Sequence, residues 1–118
     1  MPQSAMDAGA FAEMKELMGD AFNDIIAMCL QSLPQQLADI ETAIKDNNAE
    51  ALFNISHKMK SSCGSIGAFG LAEKAEAIEV IGRDGSTEVS PELYNELRGA
   101  TQKVILALNS ELENTGTL

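Results

Sequence analysis

Apolar residues return every third or fourth position along almost the whole chain, with polar and charged residues between them. That spacing predicts helices over residues 8–18, 21–46, 48–66, 69–82 and 90–113. The first carries Phe11, Met14, Leu17 and Met18 on one side, and Gly19-Asp20 ends it, with Asp20 as an N-cap for the next. The second has its stripe in Phe22, Ile26, Cys29, Leu33, Leu37, Ile40 and Ile44, in phase on both sides of Pro34, which predicts one bent helix. Asp46-Asn47-Asn48 is a capped turn, and Gly67 is a stop for the third helix. The fourth places Leu71, Ala75, Ile78 and Ile81 inside and Glu73, Lys74, Glu76 and Glu79 on a solvated outer face. Gly82 to Thr87 is the clear loop, and Ser90-Pro91 opens a last helix with Leu93, Leu97, Ala100, Val104, Leu108 and Leu112 as its stripe, before a frayed tail from Asn114. No alternating strand pattern competes. The expected fold is all-α, a single domain over residues 1–118: an antiparallel four-helix bundle with a short extra N-terminal helix.

Composition agrees with helix packing. Leu, Ile, Met and Ala supply most of the apolar content, while four Phe and one Tyr are the only aromatic residues. A formal charge of -10 excludes nucleic acid as a partner and disfavours an anionic membrane surface. Cys29 and Cys63 both fall within helical patterns and are expected as buried, reduced thiols; with one histidine they make a poor metal set. The opening residues M-P-Q-S-A-M-D lack the basic and apolar regions of a signal peptide, so a cytoplasmic location is expected. A complete bundle favours a monomer.

The one histidine, His57, lies in S-H-K-M-K-S-S-C-G-S-I-G-A. With about 100° per residue, Leu52, Ile55, Met59, Ser62 and Ile66 face the opposite way and form the core stripe, so His57 points outward. Phe53, Asn54, Lys60, Ser61, Gly64 and Ala68 lie within roughly 60° of it. Phe53 is a large apolar residue on a face that should meet solvent, and Gly64 leaves bare backbone where a charged residue would be ordinary. Together they suit a partner that must reach the imidazole. Lys58 projects about 100° around the helix, toward acidic groups of such a partner.

H-K-M-K-S-S-C-G-S-I-G-A, followed by L-A-E-K-A-E-A-I-E, resembles the signature of histidine-containing phosphotransfer (HPt) domains, the carriers of multistep phosphorelays. His57, Lys60 and Gly67 match that pattern in type and spacing, and the likeness extends over about residues 20–82, including the proline at position 34. Ser61 departs from it, standing where the family usually has Gly; a hydroxyl there keeps access open and adds a hydrogen-bonding group. The resemblance implies a phosphoryl carrier that accepts phosphate on His57 from a receiver-domain aspartate and passes it to a response regulator. Its partners would be receiver domains of hybrid sensor kinases and response regulators. It also implies that Nε2 is the reactive atom and the other nitrogen is oriented by a hydrogen bond.

The chemistry suits these residues. An imidazole ordinarily titrates at about 6.5, so a ring nitrogen is available as a nucleophile near neutrality. Lys60, one turn along the face, is expected to stabilise charge on the phosphoryl oxygens. Gly64, Gly67 and Gly70 do not form a phosphate-binding loop, so no ATP-dependent kinase activity is expected. No carboxylate cluster is expected on the His57 face, and no bound cofactor; Mg²⁺ would sit in the partner receiver. The alternative is a docking module that binds a signalling partner through the Phe53/Gly64 face without phosphorylation.

Overall fold

In the computed structural model, residues 8–116 are described, with side chains for residue 9 and residues 12–110. Five helices and no strand occur among them: α1 (Ala8–Met18), α2 (Ala21–Lys45), α3 (Ala49–Ser65), α4 (Phe69–Arg83) and α5 (Pro91–Gly116). Around the bundle α2 packs on α3, α3 on α4, α4 on α5, and α5 back on α2, while α1 leans on α2. The core is made by the predicted stripes, with Phe22, Ile26, Leu33, Ile40, Leu52, Met59, Ile78, Leu97, Val104 and Leu108 buried. Phe11 and Leu112 lie outside the described side chains.

The turns follow from their residues. Asn47, Gly67 and Gly85 each take a positive φ just past a helix end. At the end of α3 the amide of Ala68 donates to Cys63 O at 2.8 Å and that of Gly67 to Gly64 O at 3.3 Å. This is the paired closure in which a left-handed residue satisfies the last carbonyls. The side chain of Asn48 caps α3 by accepting from the amide of Ala51. The Ser90 hydroxyl accepts from the amide of Leu93 and caps α5, with Pro91 as the first helical residue. Helix α2 runs unbroken through Pro34, which lies exposed, so the carbonyl one turn earlier loses its donor on the solvent side.

Several expectations are corrected. Asp20 has helical dihedrals and its side chain makes no capping bond, so α1 and α2 join by a tight turn with no carboxylate cap. Leu17 does not join the α1 stripe; it is 83% exposed, whereas Met14 and Met18 pack on the core. The last helix continues to Gly116. Gly82 is no loop residue: it is buried within α4, where a Cβ would stand 2.7 Å from Phe53 N and 3.0 Å from Ala49 O. The backbones of α3 and α4 meet there, and only a residue without a side chain fits.

That contact sets a prediction. Gly82→Ala should destabilise the chain by about 1–3 kcal/mol in urea unfolding, because the opposing atoms are backbone and cannot turn aside. Gly99→Ala, at a position in α5 with nothing within 4 Å of an added Cβ, should instead gain up to about 1 kcal/mol. Equal effects from the two would contradict the close seam.

Candidate functional site

Helix α3 presents His57 outward, its side chain 54% exposed. Around it on α3, Asn54, Lys58, Ser61 and Gly64 are exposed, and Phe53 and Lys60 are half-buried. Below this face, Met59 and Cys63 are buried, and the Ser56 hydroxyl donates to Leu52 O at 2.6 Å, so a polar side chain is satisfied inside the bundle. The Phe53 ring stacks on the imidazole, 5.7 Å between centroids and 6° between planes. Phe53 is therefore a wall for the ring and not a free apolar patch. Its backbone is the one that Gly82 allows α4 to approach.

Across the seam stands a residue the sequence reading put on the outer face. Glu79 of α4 is buried, its side chain only 4% exposed. Its Oε2 lies 2.8 Å from Nδ1 of His57, and its Oε1 accepts from Nζ of Lys60 at 2.8 Å. The expectation that set Glu79 on the solvated outer face is thus corrected: one carboxylate, though not a cluster of them, stands beside His57. Glu73 and Glu76 are exposed as expected. Lys74 pairs with Glu96 of α5 at 3.2 Å.

The two partners settle the protonation of the cluster. The Lys60 hydrogen bond, aided by that of His57 and by both charges, holds the Glu79 carboxyl below the usual carboxylate range, although burial pushes the other way. An ionised carboxylate can only accept, so Nδ1 must carry the proton it receives. The neutral ring is then the Nδ1–H tautomer, which leaves the lone pair on Nε2 of a half-exposed ring. Lys60 is anchored to Glu79 in this cluster and does not extend freely along the face.

The other predicted residues fall on both sides of expectation. An added Cβ at Gly64 would meet nothing within 4 Å, so nothing inside the chain demands a glycine there. Ala68 does not belong to the His57 face: it is fully buried and caps α4. The helical wheel fails past Ser65 because Gly67, with φ 79°, turns the chain away. Cys29 and Cys63 are free buried thiols; burial, and then Cys29 nearby, pushes Cys63 up to about 12, so neither is poised to react. Among the described residues no group of His, Cys, Asp and Glu is placed to hold a metal ion, and no helix is long and apolar enough to cross a membrane.

The paired carboxylate makes stability depend on pH with a definite sign. Because Glu79 is lowered in the folded chain, the unfolded chain takes up a proton first as pH falls below about 4.3. The contribution is complete above that value and is lost as pH drops through the depressed folded value. Glu79→Gln should cost about 1–3 kcal/mol at neutral pH, and the gap to wild type should narrow as pH falls below the usual carboxylate range in urea titrations. A gap independent of pH would contradict an ionised Glu79.

Comparison with known proteins bears on the same span. The family model for the Hpt domain matches residues 24–114. Among solved structures, the histidine-containing phosphotransfer protein B (HptB) from Pseudomonas aeruginosa PAO1 has the same fold, with a TM-score of 0.87 at 21% sequence identity, over 93% of this chain and 96% of that one. No curated protein matches the chain. The matched residues take in α3, α4 and nearly all of α2 and α5, and with them the whole His57–Glu79–Lys60 cluster; the chain belongs to the Hpt domain family, the phosphotransfer carriers of phosphorelays.

Proposed function

We propose that Nε2 of His57 accepts a phosphoryl group from the receiver aspartate of a hybrid sensor kinase and passes it to the aspartate of a response regulator. One observation carries this reading: the ionised, buried Glu79 holds Nδ1 at 2.8 Å and so presents the lone pair of Nε2 outward. Phe53 stacks on the ring plane, and Lys60, held by Glu79 before transfer, turns its ammonium to the phosphoryl oxygens as charge develops on them. The donor is an acyl phosphate and not ATP, and Mg²⁺ sits on the receiver. The chain works as a cytoplasmic monomer.

The exposed positions Asn54, Lys58, Ser61 and Gly64 form the approach to the ring in this reading. Gly64 leaves room for a receiver loop outside the chain, and Ser61 is exposed beside it on α3. Docking without phosphorylation is the weaker reading, because it gives the buried carboxylate behind the imidazole nothing to do.

Incubation with a phosphorylated receiver domain and Mg²⁺ tests the proposal. Acid-labile, base-stable label should move to the wild type and not to His57→Gln, while both fold alike by circular dichroism. Lys60→Ala should slow transfer by about tenfold to a thousandfold and spare receiver binding. Gly64→Leu should keep its stability and lose transfer by steric exclusion. Label on His57→Gln, or unimpaired transfer by Gly64→Leu, would contradict the assignment of this face.

A further inference from the structure

We propose that Glu79 keeps the proton on Nδ1 of His57 after Nε2 has been phosphorylated, so that the chain carries its phosphoryl group on a cationic ring and exchanges no proton in either transfer. The inference rests on the reading of His57 as the carrier and extends it to the loaded state.

Once Nε2 bears phosphorus, Nδ1 is the only ring nitrogen that can hold a proton. In an unconstrained phosphohistidine that proton is lost to solvent and the ring becomes neutral. Here Nδ1 faces Oε2 of a carboxylate that is 4% exposed. Loss of the proton would set two lone pairs against each other at hydrogen-bond distance, and would leave a buried charge without one of its two donors. Turning the ring away would break its near-parallel stack on Phe53, whose backbone lies against Gly82 of α4. The charged groups around the ring favour the same state. Glu79 from α4 touches it; Lys60 of α3 is committed to the other oxygen of that carboxylate, and Lys58 of α3 is exposed. Among the described residues α2 supplies no hydrogen-bond or ion-pair partner to the ring.

The bookkeeping of the two steps is simple. In loading, the Nε2 lone pair attacks phosphorus, the N–P bond forms, and the P–O bond to the donor aspartate breaks with its electron pair leaving on that carboxylate. The ring gains a positive charge, and Glu79 faces it. In unloading, the carboxylate of the acceptor aspartate attacks phosphorus and the N–P electron pair returns to Nε2. The ring departs as neutral imidazole with the proton still on Nδ1, the tautomer in which it began. A ring that had lost this proton would have to leave as an imidazolate anion, a far poorer leaving group. Glu79 is thus a positioning residue whose charge, and not only its shape, sets how readily the loaded chain donates.

Glutamine separates charge from shape. Its amide can accept from Nδ1–H or donate to a bare Nδ1, so Glu79→Gln suits both ring states and no longer enforces the cationic one. Wild type and Glu79→Gln are loaded chemically with phosphoramidate, which needs no protein partner, and the phosphorus NMR shift is followed between about pH 6 and about pH 9. The same loaded wild type unfolded in urea supplies the unconstrained reference, so the test stands even if Glu79→Gln folds poorly. The expected result is a flat wild-type profile, with titration within this window in the reference and the variant. Transfer to a Mg²⁺-loaded receiver should hold level for the wild type across the window. For Glu79→Gln it should fall about tenfold per pH unit above the variant's midpoint. A wild-type profile that titrates with the reference overturns the inference and leaves the carrier reading intact. A wild type that loads with phosphoramidate yet exchanges with no receiver overturns the carrier reading, and its phosphorus profile still decides the state of the ring.

Discussion

A single buried carboxylate holds the site together. Glu79 gives one oxygen to Nδ1 of His57 and the other to Nζ of Lys60, each at 2.8 Å. A charge removed from water is costly unless its hydrogen-bonding capacity is met, and here two donors from one helix meet it across the seam between α3 and α4. The ordering also runs the other way. A long lysine and an exposed imidazole would each sample many rotamers, and the carboxylate confines both. The tautomer of the ring and the position of the Lys60 ammonium both descend from this one carboxylate.

For the contact to exist, α4 must lie close against α3, and the packing explains how it does. Gly82 lets the backbone of α4 reach that of Phe53 and Ala49, and Ala75 is buried one turn before Glu79. From α4 the Glu79 side chain reaches across to His57 and Lys60 of α3. Phe53 then serves twice, its backbone against Gly82 and its ring against His57. Helix packing and site chemistry are joined at this residue, so a change that opens the seam would loosen the imidazole.

Most of the fold was legible because it rests on periodicity. The stripes of α2 and α5 kept their phase over many turns, and the caps at Asn48 and Ser90 follow from side chains that bond to the nearest amides. His57 was legible as an outward residue for the same reason. What escaped depends on contacts between helices. Taking Leu71, Ala75, Ile78 and Gly82 as the inward direction of α4, Glu79 stands only roughly 70° from it, whereas Glu73 and Glu76 stand beyond roughly 120°. A wheel drawn for α4, as it was for α3, would have set Glu79 apart, but not shown what it meets. Gly82 read as the end of α4 and the start of the loop, although the helix runs on to Arg83, and Ala68 read as surface because a wheel cannot see the left-handed turn at Gly67.

The central claim is that Glu79 selects the Nδ1–H tautomer of His57 and so makes Nε2 the nucleophile. Nitrogen NMR of the imidazole in the unphosphorylated chain, with the ring neutral, measures this directly, since protonated and bare ring nitrogens resonate far apart. The account predicts a protonated Nδ1 and a bare Nε2 in the wild type, with the two tautomers mixing in Glu79→Gln. A wild-type ring protonated mainly on Nε2 would contradict it.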